Sequence, residues 1–148
     1  MLFKHILVPT DGSALSDKAV NQAIAFAKDS GARITFFCAG QANPAIYFGV
    51  GAISDEKAAS TFRDAARSTA QKILDAAHKL GQEASIECDT LVMFSSAPWE
   101  GIIEAARQKS CDLIFMASNG RRGVNALLLG SETQKVLTHS KIPVLVYR

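Results

Sequence analysis

Long apolar runs, paired cysteines and an excess of one charge are all missing from this sequence. Its apolar runs reach about six residues, against the roughly 20 that a membrane-spanning helix requires. The three cysteines, Cys38, Cys88 and Cys111, are odd in number and show no Cys-x-x-Cys spacing, which argues against both a disulfide framework and a zinc site. Sixteen basic residues stand against fourteen acidic ones, and no Lys/Arg run breaks the balance, so nucleic acid is not an expected partner. The opening M-L-F-K-H-I-L-V lacks a basic region followed by a long apolar stretch, as a signal peptide would have, and the cytoplasm is the expected compartment. His5, His78 and His139 lack ligand spacing, and neither a Ser/His/Asp nor a Cys/His set can be argued from the spacings. G-x-G-x-x-G after the first strand and G-x-x-x-x-G-K-[ST] are both absent, which weighs against NAD-dependent dehydrogenases and P-loop NTPases.

What is present is a 48% hydrophobic chain of 148 residues, long enough for one domain with a proper core. Strands are expected at 3–9, 33–39, 84–92, 112–117 and 143–147. Helical spacing is expected from Leu15 to Ala27, with Ser13 as N-cap and Gly31 as stop, and from Glu56 to Leu80, ended by Gly81. A third helix opens at Ser95-Ser96-Ala97-Pro98, with Trp99, Ile103 and Ala106 inward. The fourth starts at Ser131, where Ser131 and Gln134 fit an S-x-x-Q capping box and Val136 and Leu137 supply an apolar side. Gly40 to Asp55 has no period and reads as a long loop, a lid or contact surface. This β-α-β-α-β-α-β-α-β order specifies a parallel, doubly wound α/β sheet, which binds ligands at the carboxyl ends of its strands.

Two segments converge there. Thr10-Asp11 follows the first strand, and M-A-S-N-G-R-R-G-V-N-A-L-L-L-G-S-E (116–132) follows the fourth. A strand, a glycine loop and a helix start can present backbone N–H groups and a positive dipole end to an anion, with Arg121 and Arg122 adding full charges. This predicts a phosphate cradle around Gly120, Gly130 and Ser131. Asp11 reads equally as a turn residue bonding its own backbone or as a contact to ribose or Mg2+. As a pair, Arg121 and Arg122 read first as solvated surface, and phosphate pairing by both at once is the sharper, second reading.

These residues resemble the universal stress proteins of the UspA type. I-L-V-P-T-D-G-S looks like that family's first strand and turn. A-S-N-G, nine residues, then G-S is similar to its nucleotide motif G-x-x-G-x9-G-[ST], and K-I-P-V-L-V resembles its last strand. The resemblance implies a Rossmann-like five-stranded parallel sheet of order 3-2-1-4-5, helices on both faces, in a single domain spanning 1–148. It also implies a homodimer paired through the last strand (Val144, Leu145, Val146). For the family's nucleotide-binding branch it implies ATP: Pro9, Thr10 and Asp11 beside the adenosine, Ala39 against the adenine, and Met116 and Ala117 lining the cavity. Gly120, Gly130, Ser131 and Thr133 would hold the phosphates.

Three residues depart from that pattern. Ala117 replaces the motif's first glycine, Asn119 sits where many relatives have His or Arg, and Glu132 brings a carboxylate to the helix start. The alternative function is therefore an interaction module of the same fold that binds no nucleotide and works through its dimer surfaces and the 40–55 loop. For the nucleotide-binding form, ATP hydrolysis is expected to be slow at most, since no general base or nucleophile is positioned.

Overall fold

A computed structural model describes residues 2–41, 56–120 and 128–148. Most of the expected 40–55 loop, and Arg121 and Arg122, lie outside the described residues. The first strand, β1, is His5–Pro9, and α1 is Ala14–Ser30. Ser13 caps α1 by accepting the Ser16 amide at 3.3 Å, and Gly31 ends it at φ 75°, where a side chain would be strained. Then follow β2 (Arg33–Gln41), α2 (Glu56–Glu83), β3 (Cys88–Ser95), α3 (Pro98–Gln108), β4 (Leu113–Ala117), α4 (Ser131–His139) and β5 (Val144–Tyr147).

The strands form one sheet in the order β3-β2-β1-β4-β5, every neighbouring pair parallel. Period-two alternation sends Ile6 and Val8 to one face and Leu7 to the other, and both faces are apolar because both are covered. On one face Ala19, Val20, Ala23 and Ala27 of α1 and Ala70, Leu74 and Ala77 of α2 pack on Ile34, Phe36 and Phe115. On the other, Ile102 and Ala105 of α3 and Val136 of α4 pack on Phe37, Ile114 and Met116.

Several boundaries differ from the sequence expectation. β1 starts at His5 rather than Phe3, and the Asp112 carboxylate takes the amides of Lys4 and His5 at that end. α2 runs through Gly81 to Glu83, and β3 begins at Cys88 rather than Ala84. Gly81 is needed for close approach, not termination: a Cβ there would stand 2.7 Å from Cys88 Sγ. The turn after α2 is closed by the Ser85 and Ile86 amides, bonded to the Gln82 and Gly81 carbonyls, with Ser85 at φ 60°. The capping box at α4 does not form. Gly130 is the N-cap, Ser131 is the first helical residue, and Gln134 Nε2 donates to the Leu129 carbonyl at 2.9 Å. Leu137 is exposed, and Thr133 is buried with Val136 instead. In α3, Trp99 and Ile103 are half-buried, and Ile102 and Ala105 take the deepest positions.

Candidate functional site

The sheet's direction of winding reverses at β1, whose neighbours are β2 on one side and β4 on the other. The chain leaves β1 for α1 on one face and β4 for α4 on the other, the arrangement at which parallel sheets of this kind bind ligands. Beyond Pro9, the Thr10 amide donates to the Phe37 carbonyl at 2.8 Å and extends the strand by one bond. Gly12 turns the chain at φ 78°. Asp11 Oδ1 accepts the Ser13 amide at 2.9 Å, so the turn reading of Asp11 holds for one of its oxygens. Ser16, a residue the sequence reading did not single out, secures this turn. Its hydroxyl donates to Thr10 Oγ1 at 2.7 Å and accepts the Asp11 amide at 3.2 Å. The only sequence signal for it is its position one helical turn beyond the N-cap.

On the other side, the Ser118 amide donates to the Tyr147 carbonyl, and the Ser118 carbonyl accepts the Gly130 amide, both at 2.8 Å. The start of α4 is thereby pinned to the end of β4. Gly130 brings no capping side chain, so the first-turn amides of α4 lack both an intrahelical acceptor and a cap from that residue. A Cβ on Gly130 would fall 3.1 Å from Asn119 Oδ1 and 3.3 Å from the Ser118 carbonyl. A Cβ on Gly120 would fall 2.6 Å from Asp11 Oδ2. The turn after β1 and the turn after β4 are therefore in contact.

Met116 and Ala39 belong to the apolar layer on the α3/α4 side. Ala117 alternates to the opposite side, among the α1-side residues, so its methyl group is core. Thr133 is buried and donates its hydroxyl to the Ala117 carbonyl at 3.1 Å; Ser131 is exposed. Glu132 does not turn its carboxylate on its own helix start alone. Its Oε2 accepts the Trp99 amide of α3 at 2.8 Å, and Lys135 Nζ stands 3.9 Å from Oε1.

The profile of the Universal stress protein family matches residues 2–148. The chain belongs to the universal stress protein family. It is 31% identical to universal stress protein MJ0531 of Methanocaldococcus jannaschii over 99% of this chain and 83% of the relative. It is 28% identical to universal stress protein YxiE of Bacillus subtilis over 99% and 100%. Among solved structures, that of hypothetical protein MJ0577 superposes with a TM-score of 0.85 at 23% identity, covering 99% and 96% of the two chains. A universal stress protein in complex with cAMP superposes at 0.74 with 25% identity, covering 100% and 99%.

A second polar cluster of this universal stress protein lies at the opposite, amino ends of the strands. Thr35, wholly buried, donates its hydroxyl to Asp89 Oδ1 at 2.5 Å, and Lys109 Nζ donates to Asp89 Oδ2 at 2.7 Å. Thr35 has one proton, so His5 Nε2 must be the donor in the 2.8 Å contact with Thr35 Oγ1. That leaves His5 Nδ1 as a buried acceptor with no hydrogen-bond partner. Burial first, then the Arg33 charge, lowers the His5 pKa, and Asp89, the Lys109 carbonyl and Asp112 only partly oppose them. Burial also pushes the Cys111 thiol up to about 12, and the carboxylates of Asp112 and Asp89 add to it, so this cysteine is not a nucleophile. His78 Nε2 lies 3.2 Å from the Cys88 carbonyl, and the His139 ring stacks on Trp99. Among the described residues no group of three or more His, Cys, Asp or Glu could hold a metal ion by itself, and no helix is long and apolar enough to cross a membrane.

Proposed function

We propose that this chain binds an adenine nucleotide, ATP with Mg2+, between the carboxyl ends of β1 and β4, and works as a cytoplasmic homodimeric regulator of the stress response. The observation that carries this reading is the contact of Gly120 with Asp11, where a single added carbon would fall 2.6 Å from the carboxylate. Without a side chain at Gly120 the turn after β4 closes on the Asp11 turn, and Gly130 brings no capping side chain to the start of α4, an arrangement that suits a polyphosphate approached by main-chain amides. The relative solved with cAMP supports an adenine nucleotide as the ligand class.

In this reading Pro9, Thr10 and Asp11 lie along the adenosine, and Ala39 lies against the adenine. Met116 and the Ala117 backbone form the wall. Gly120, Gly130, Ser131 and Thr133 face the phosphates, with Arg121 and Arg122 adding positive charge. Thr133 would have to share its hydroxyl with the Ala117 carbonyl. Asp11 is one carboxylate, and one suffices for Mg2+ when phosphate oxygens and water complete the octahedron. Mg2+ would neutralise phosphate charge next to that carboxylate.

Two of the departures from the family motif lose their force. The Ala117 methyl group belongs to the α1-side core, and the Glu132 carboxylate is bonded to Trp99. In this reading the residues supply binding and orientation, and among the described residues none is assigned as a general base against a γ-phosphate. Turnover of ATP is therefore expected far below the roughly 10 per second of a dedicated enzyme.

Calorimetric titration with ATP and Mg2+ tests the reading. Saturable binding at or below about 1 mM is expected, with Gly120→Val weakening it at least about tenfold and chelation of Mg2+ also weakening it. No heat of binding at millimolar ATP would favour the nucleotide-free interaction module. Full affinity in Gly120→Val would refute the location of the cradle.

A further inference from the structure

α4 is nine residues long and buries only Thr133 and Val136, so burial alone holds it weakly. Both of its ends reach the same residue of α3. Glu132, in its first turn, takes the Trp99 amide at 2.8 Å; His139, its last residue, stacks its ring on the Trp99 indole at 4.5 Å between centroids and 23° between planes. Seven residues apart, the two side chains project from one face of the helix. The Trp99 amide needs such a partner, because the N-cap of α3 is Ala97, which has no side-chain acceptor. A carboxylate from a neighbouring helix fills the capping role, and the positive end of the α3 dipole favours its charge.

We propose that Glu132 is a positioning residue: by accepting the Trp99 amide it fixes the first turn of α4 against the start of α3, and so aims the α4 amides at the phosphates of a bound nucleotide. This rests on the nucleotide reading above. It reverses what the sequence suggests for Glu132, a carboxylate competing with phosphate for one helix end. The two roles predict opposite signs.

The test titrates wild type and three variants with ATP and Mg2+ and, separately, with adenosine. Glu132→Gln keeps the reach and loses the charge. Glu132→Asp keeps the charge and loses the reach. Glu132→Ala keeps neither. Positioning predicts ATP affinity within about twofold of wild type, or tighter, for Gln, and about tenfold weaker for Asp and Ala, the size of one phosphate hydrogen bond. Adenosine affinity should stay within about twofold throughout, since only the phosphates meet α4. A role confined to holding the fold together would leave the ratio of ATP to adenosine affinity unchanged in every variant, and that result overturns the proposal. So does tighter ATP binding in the Ala variant with no change in the Asp variant, the pattern of simple competition. If the Ala variant does not fold, the Gln and Asp pair decides. Wild type that binds neither ligand overturns the nucleotide reading and this inference together. Wild type that binds both, with an Asp variant that binds ATP equally well, overturns this inference alone.

Discussion

At the scale of the residue, burial and the Arg33 charge give His5 a pH-dependent contribution to stability. Its Nε2 is committed to Thr35, its Nδ1 is buried without a partner, and a proton on Nδ1 would charge the ring beside Arg33. The folded value lies below 6.5, so as pH falls the unfolded chain takes up the proton first. The stability that neutral His5 contributes is whole above its unfolded value and is lost as pH falls through the lower folded one. Asp89 behaves likewise further down. Burial raises its pKa, but hydrogen bonds from Lys109 and Thr35 outweigh that, so its contribution is lost only in acid below 3.8. His5→Gln, whose amide can still donate to Thr35, should therefore lose less stability than wild type between pH 7.5 and 5.5. Urea denaturation at the two pH values measures this, and parallel losses in both proteins would exclude His5 as the titrating group.

At the scale of the element, the end of α2 shows a glycine kept for space. Alanine in a helix interior is favoured over glycine by about 1 kcal/mol. At position 81, however, its methyl group would meet Cys88 Sγ at 2.7 Å and the wholly buried Phe36 ring at 3.3 Å. Gly81→Ala is expected to cost about 1 kcal/mol net, as overpacking outweighs propensity. Adding Cys88→Ala removes the sulfur, and a double-mutant cycle should show favourable coupling of about 1 kcal/mol. Chemical denaturation of the four proteins gives the cycle, and additive effects would mean that the sulfur yields without strain. The same close approach explains why α2 continues beyond a glycine that reads as a stop.

At the scale of the whole molecule, β3 and β5 are the sheet edges. The side chains of Val144, Leu145, Val146 and Tyr147 are all half-buried, and an apolar edge of this kind is suited to pairing with a second copy. Val146→Pro removes one edge amide and is expected to weaken a homodimer formed through β5. Sedimentation analysis should then show monomer where wild type shows dimer, and an unchanged mass would direct attention to another surface. The two polar assemblies sit at opposite ends of the sheet, the Asp11–Gly120 contact at the carboxyl ends and the His5 cluster at the amino ends. Acid destabilisation through His5 should consequently leave the Asp11–Gly120 contact intact in the molecules that remain folded.

The sequence alone determined the element order, the two-sided burial of β4 and the pairing of T-D-G-S with the glycine loop as the strand-end segments. These follow from periodicity and turn chemistry, which act within a few residues and are written locally. It also determined the caps of α1, because Ser13 and Gly31 act on their own helix. Only the tertiary structure decided the rest. Gly81 became a contact point, Gly130 displaced Ser131 as the cap, the Ala117 methyl group went to the core, and the Glu132 carboxylate crossed to Trp99. Each of these depends on which group from a distant part of the chain stands within 3 or 4 Å, and no local pattern encodes that distance.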